Sequence, residues 1–203
     1  MGMVMAKTDV AVRVIGGGAA LMAGSMGMAQ AQDVGGFYAG IGVGANSGDF
    51  TAFGSDEYSF EGGTVGSLFA GYNFVSGNMI YGGELAYSNG ANTDVDNPYV
   101  GEISSLLDLK GRLGTMVGST MFYGSLGYTR GKMGTEFLGG GGTVSGINLG
   151  AGFETSLSDK MFIGGDYTAR NLNGGGTVDG VPGEEYMDDV NLSTLSIRLG
   201  FRF

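Results

Sequence analysis

The residues with chemistry to offer are nine charged side chains at even spacings: Glu84, Asp108, Lys110, Arg112, Glu154, Asp166, Arg170, Arg198 and Arg202. Asp108, Lys110 and Arg112 fall on every second position, and Asp166 with Arg170 and Arg198 with Arg202 keep the same parity. In an extended chain, residues two and four apart share one face. Carboxylate pairs alone are enough for some acid and base chemistry. Here four acids meet five bases, a mixture that pairs with itself. The chain also has no Cys and no His. That removes thiolate nucleophiles, cysteine zinc sites and disulfides, and with them the imidazole of a Ser-His-Asp triad or of a base poised near neutral pH. No catalytic residue, cofactor or metal site is expected.

The elements that carry these charges show a period of two. In the run from Phe37 to Ala45, the odd positions are Phe, Ala, Ile, Val and Ala, and most even ones are Gly. Such alternation means a strand with one apolar face. The same pattern recurs over 64–74, 79–88, 105–117, 121–130, 143–155, 161–170 and 191–203, which makes eight strands. Each has about ten residues, the length of a tilted strand crossing a bilayer. The connections alternate: 75–78, 118–120 and 156–160 are short, whereas 46–63, 89–104, 131–142 and 171–190 are longer and polar. Up-and-down transmembrane barrels show this pattern, with periplasmic turns and extracellular loops. The fold class predicted is all-β, an eight-stranded antiparallel up-and-down transmembrane β-barrel.

Composition agrees. Of 203 residues, 44 are Gly and 2 are Pro, so Gly far exceeds its usual share of about 7%, while collagen, which needs abundant Pro, is excluded. With 42% hydrophobic residues, the chain is too apolar for a disordered polymer. A formal charge of −10 argues against nucleic acid as a partner, since phosphate must be neutralised by Lys and Arg. Lys7 and Arg13 precede an uncharged stretch that ends at Ala29-Gln30-Ala31. This reads as a secretory signal peptide over 1–31, cleaved before Gln32, and leaves a barrel of 32–203.

Parity then sorts the two faces. The lipid face receives Ile41, Val43, Leu68, Tyr72, Tyr81, Leu85, Tyr87, Leu107, Leu109, Leu113, Leu126, Tyr128, Ile147, Leu149, Phe153, Ile163, Tyr167, Leu195, Ile197, Leu199, Phe201 and Phe203, without a charge among them. The other face receives the nine charged residues among Gly, Ser, Asn and Thr. Of the eight Lys and Arg beyond the leader, five fall there. Charges kept from lipid inside a wall must pair with one another. Large inward groups need small neighbours in so narrow a barrel, a space that Gly40, Gly42, Gly44, Gly146, Gly150 and Gly152 are expected to leave.

The chain resembles the porin-like, opacity-type outer-membrane β-barrel family of Gram-negative bacteria, eight-stranded relatives of the OmpA membrane domain and OmpX. The resemblance is carried by Gly36-Phe37-Tyr38-Ala39-Gly40, Ala70-Gly71-Tyr72-Asn73-Phe74, Gly82-Gly83-Glu84, Lys110-Gly111-Arg112-Leu113-Gly114 and Arg198-Leu199-Gly200-Phe201-Arg202-Phe203. It implies residence in the outer membrane, among its lipid and lipopolysaccharide. It implies also that Phe203, with alternating apolar partners such as Phe201, is the signal read by the barrel-assembly machinery. Family roles span envelope integrity, surface antigenicity and adhesion. A non-enzymatic barrel with a structural or surface-interaction role is therefore expected, the alternative being a narrow porin for small solutes. A barrel enzyme acting on lipid or peptide is disfavoured, because the barrel enzymes of similar architecture use His.

The long loops are acidic: Asp49, Asp56, Glu57 and Glu61 in the first, Asp94, Asp96 and Glu102 in the second, and Asp179, Glu184, Glu185, Asp188 and Asp189 in the fourth. They read first as a solvated surface with an unknown ligand, and second as oxygens through which divalent cations bridge to lipopolysaccharide phosphates. The echo between 140–146 and 174–180 lacks the period and the aspartates of a calcium-binding repeat array.

Overall fold

The computed structural model describes residues 34–52, 56–60, 62–89, 102–134, 141–178 and 181–203. The segment read as a signal peptide, with its cleavage before Gln32, lies outside these residues. So do Glu61, Asp94, Asp96 and Asp179.

The alternating runs become strands β1 (Gly36–Ala52), β2 (Asp56–Phe60), β3 (Thr64–Ser76), β4 (Met79–Asn89), β5 (Glu102–Val117), β6 (Thr120–Gly134), β7 (Gly141–Ser156), β8 (Met161–Val178) and β9 (Val181–Arg202). Each long strand pairs antiparallel with the next, and β9 returns to β1 in a register that sets Tyr38 opposite Arg202 and Ala45 opposite Leu195. Eight staves, β1 and β3 to β9, thus close into a barrel. The short β2 is a flap hydrogen-bonded to the far end of β1, in a register that pairs Phe50 with Tyr58.

Two of the short turns are two-residue hairpins, Gly77-Asn78 and Gly118-Ser119. Their first residues have φ of +61° and +63°, the position at which a II′ turn calls for Gly. Asn78 braces its turn against β5 by donating Nδ2 to Thr115 Oγ1 at 2.7 Å. The third turn is held by Ser158 Oγ, which accepts from the backbone N–H of Met161 at 3.1 Å.

At the opposite end the strands run farther than alternation alone foretells. β1 continues to Ala52, β6 to Gly134 and β8 to Val178, and β9 begins at Val181, so much of what reads as polar loop in 46–63, 131–142 and 171–190 is paired strand. The reason is on the inner face. Phe50, Phe60, Ile103, Leu106, Val144, Leu172, Val190 and Leu192 form one buried apolar cluster there, a small core that keeps the ladders together beyond the lipid band. The ladders slip only in this region, at Asp49/Thr51, Ile103/Ser105 and three places between β8 and β9, as bulges do at barrel rims.

The outer wall is apolar. Leu109, Leu126, Ile147, Leu149, Leu195 and Ile197 are each more than 60% exposed, a surface that water would not tolerate in a monomer but lipid requires. Near the short turns an aromatic girdle forms, in which Phe37 and Tyr72 meet edge to face at 4.7 Å and Phe74 stacks on Tyr81 at 5.4 Å. Four inner glycines sit under rings. A Cβ on Gly71 would meet the phenol of Tyr38, one on Gly152 that of Tyr123, and one on Gly40 or Gly200 the rings of Phe69 or Phe162. At outward-facing Gly83, Gly111 and Gly124 a Cβ would make only an ordinary contact with a carbonyl oxygen, and packing gives no reason for glycine there.

Closure leaves no stave with an unpaired edge for detergent to open. The folded protein is therefore expected to migrate differently on a denaturing gel before and after boiling. Identical migration, or recovery in the soluble periplasm, overturns the barrel.

Candidate functional site

The interior can be read along one strand. From the long-loop end to the turn end, the inward residues of β5 are Leu106, Asp108, Lys110, Arg112, Gly114 and Met116: apolar, then charged, then apolar. β4, β7, β8 and β9 also carry inward charges in their middle, whereas the inward rows of β1, β3 and β6 are uncharged. The apolar cluster around Phe50 and Leu192 closes the long-loop end, and a second cluster of Val34, Ile80, Met121 and Tyr123, with Met116 against it, closes the turn end. Asn73 ties that second cap by donating Nδ2 to the carbonyl of Val34 at 3.2 Å.

Between the caps lie all nine of the charged residues. Asp108 is held in a fork by Arg170, through Nε at 3.0 Å and Nη2 at 2.6 Å. Lys110 donates to Asp166 at 3.1 Å and to Thr168 at 2.7 Å. Arg112 joins two carboxylates, Glu84 at 3.0 Å and Glu154 at 2.5 Å, and Glu84 also receives Arg198 at 2.5 Å. Arg198 reaches Asp166 at 3.5 Å. Arg202 is the loosest member, 3.8 Å from Glu154, with a hydrogen bond to Ser156 Oγ at 2.9 Å. All nine side chains are buried.

Several partners here carry no charge and gave no sign of themselves as site residues in the sequence. Tyr38 donates its hydroxyl to Glu84 at 3.1 Å and accepts a hydrogen bond from Arg112. Tyr123 donates to Asp166 at 2.8 Å, accepts from Arg198 at 3.0 Å, and lies under the Arg112 guanidinium at 3.9 Å. Arg198 stacks on Phe69 at 3.7 Å. Tyr38, Phe69, Glu84, Arg112, Tyr123, Glu154, Asp166 and Arg198 come from eight different staves, so this one network ties the whole ring together. A second polar chain runs across the lumen from Asn46 through Thr194, Arg170, Asp108 and Thr129 to Asn148. The signal available in the sequence was parity: Tyr38 and Tyr123 fall on the inner face, but tyrosine in such a strand reads first as girdle.

The remaining space is small. A cavity of about 30 Å³ lies between the two networks, lined among others by Ser67, Glu84, Lys110, Asp166, Thr168 and Arg198, which is room on the scale of a water molecule. Among the described residues no group of three or more acidic side chains converges to hold a cation. The two residues expected to signal assembly are elsewhere: Phe203 is 78% exposed on the outer wall, with Phe201 edge-on at 5.3 Å, and its backbone N–H donates to the carbonyl of Phe37.

Removing one member of a buried pair strands the other, at a cost of about 3–5 kcal/mol. Arg112→Ala leaves both Glu84 and Glu154 short of a cation, so its urea unfolding midpoint in detergent is expected to fall well below that of the parent. Asp159→Asn, at an exposed turn, is expected to leave the midpoint in place.

With the geometry in hand, comparison with known proteins is direct. Residues 17–203 match the family described as outer membrane protein beta-barrel domain. The 22 kDa outer membrane protein of Rhizobium leguminosarum bv. viciae is 32% identical over 132 residues, 62% of this chain and 58% of the relative, so the match spans little more than half of that protein. Among solved structures, Ail, the attachment invasion locus protein of Yersinia pestis, superposes with a TM-score of 0.52 at 16% identity, covering 83% of this chain and 99% of Ail. OprG of Pseudomonas aeruginosa gives a TM-score of 0.50 at 16% identity, covering 83% and 96%. At such identities the likeness is one of fold. The family match over nearly the whole chain carries the conclusion that this is an outer-membrane protein and belongs to the outer membrane protein β-barrel family.

Proposed function

We propose that the protein is a non-enzymatic envelope barrel whose lumen is filled by its own side chains, with structural and surface-interaction roles carried by its wall and loops. The observation behind this reading is the continuous filling of the interior, apolar at both ends and ionic in the middle, with a residual cavity of about 30 Å³. A solute path would have to displace the Arg112, Arg198 and Arg170 pairs and both apolar caps. Acid and base catalysis would need a carboxylate facing substrate, and each of the four is engaged by a cation. Ail, named for attachment and invasion, gives a precedent of the same fold for contact at the cell surface.

Assembly belongs to the same reading. β9 is the stave that completes the ring, and its outward row ends in Leu199, Phe201 and Phe203. That exposed, apolar, C-terminal row is what the barrel-assembly machinery is expected to grasp.

Two measurements test these roles. In planar bilayers the purified protein is expected to show no steady conductance; large, stable pores would replace this reading with the narrow-porin one. Phe203→Asp is expected to refold in detergent with the parental gel shift and yet to accumulate poorly in the outer membrane of cells. An unchanged yield in cells removes the assembly role.

A further inference from the structure

Arg130 and Lys132 stand apart from the other cations. Five of the eight Lys and Arg beyond residue 31 are inside the lumen, and Lys160 sits at the turn end, 5.8 Å from the ring of Phe201. Arg130 and Lys132 are both on β6, both directed outward and both exposed. Neither has an ion-pair partner among the described residues.

Their level on the wall is marked by their own stave and its neighbours. Going toward the long-loop end, the last apolar outward residues are Leu107 on β5, Tyr128 on β6 and Ile147 on β7, and the next outward residues are Ser105, Arg130 and Ser145. The two cations thus begin where the lipid band stops. Across the strands, Arg130 faces Leu107 and Ser145, and Lys132 faces Ser105 and Thr143. No carboxylate is directly opposite either one; Glu102 is paired one step farther out, with Gly134. The wall around β1 and β9 differs, since Asp49 there accepts a hydrogen bond from Asn191.

We propose that this β5–β7 face binds the phosphorylated headgroup of the outer-leaflet glycolipid, with Arg130 and Lys132 on phosphate oxygens. Short turns mark the periplasmic end of such a barrel, so the cations lie on the outer-leaflet side. Two residues apart on a strand, their Cα atoms are about 6.6 Å apart, and both long side chains reach a common phosphate. Guanidinium meets phosphate as a fork and ammonium as a point charge, while the hydroxyls of Ser105, Thr143 and Ser145 supply further donors. A soluble polyanion would satisfy the charges but leave Leu107, Tyr128 and Ile147 unused. A lipid satisfies both, with acyl chains on the apolar row and phosphate on the row above it. The inference uses only the outer-membrane placement of the chain and not the closed lumen, so conductance and lipid binding succeed or fail separately.

The test compares parent, an Arg130→Gln/Lys132→Gln double variant and Lys160→Gln, each shown to be folded by its gel shift. Each is reconstituted in phosphatidylcholine discs with a trace of diphosphorylated lipid A, extracted into detergent and examined by native mass spectrometry for retained lipid. Parent and Lys160→Gln are expected to retain lipid A, and the double variant to lose at least about tenfold, the scale of a charge-assisted hydrogen bond. Dephosphorylated lipid A is expected to be lost from all three. Equal retention by the double variant, an equal loss in Lys160→Gln, or full retention of the dephosphorylated lipid overturns the site.

Discussion

Everything in this protein follows from the rule that a backbone in lipid must satisfy its own N–H and C=O groups. Strands do so only as a closed ring, and the β1–β9 ladder supplies the closing pairs. Closure then forces the period of two on all eight staves at once. One face meets hydrocarbon, and the other can be filled only by the same eight staves. Part of the interior is solved by pairing extremes of size: the rings of Tyr38, Phe69, Tyr123 and Phe162 lie across Gly71, Gly40, Gly152 and Gly200 of neighbouring strands, which accounts for those four glycines without any appeal to turns.

Why the centre of that interior is ionic is a separate question. Buried ion pairs seldom stabilise a fold more than well-packed apolar groups would, and the two ends of this lumen show that apolar filling is available to the chain. The charges contribute specificity. A slip of one residue moves every side chain of a strand to the other face, and a strand apolar on both faces would tolerate it. A Lys or Arg at mid-bilayer costs about 2–4 kcal/mol, so Lys110, Arg112, Arg170, Arg198 and Arg202 fix the parity of β5, β8 and β9. Glu84 and Glu154 do the same for β4 and β7. β1, β3 and β6 carry no inner charge and are held by hydrogen bonding to staves that do, β1 to β9, β3 to β4, and β6 to β5 and β7.

How far the sequence could be read depended on whether a signal was local. Parity along 105–117 is enough to put Asp108, Lys110 and Arg112 on one face and Leu107, Leu109 and Leu113 on the other, and the same holds for 191–203. Which acid meets which base is not local: Arg112 touches Glu154 across 42 residues, and Arg198 touches Glu84 across 114, distances that only the closed ring shortens. The long-loop end was hidden for another reason. Phe50, Phe60 and Val190 stand among Gly, Asp and Ser in segments whose composition says loop, and they count as core only once β1, β2 and β9 bring them together. Arg130 was legible by parity as an outward residue. Its meaning was not, because only the levels of Leu107 and Ile147 on the adjoining staves show that it sits at the edge of the lipid band.

The layers of the lumen depend on one another. The apolar caps flank the ionic middle, where Arg112 and its two glutamates are buried, and in such a medium their attraction is stronger than it would be in solvent. The ionic middle fixes register, and a fixed register is what lets Leu106, Val144, Leu172 and Leu192 meet from four separate staves in the outer cap. An interior so fully committed to its own fold has little left for a ligand. Groups free to meet another molecule are then on the outside, and among the described residues the exposed cations reduce to Lys160 near the turns and to Arg130 and Lys132 at the outer edge of the wall. The chain carries a formal charge of −10, against which most of an anionic membrane surface would be repelled. A pair of unneutralised cations at one place on the wall gives such a protein a preferred orientation toward anionic lipid that its net charge alone would deny it.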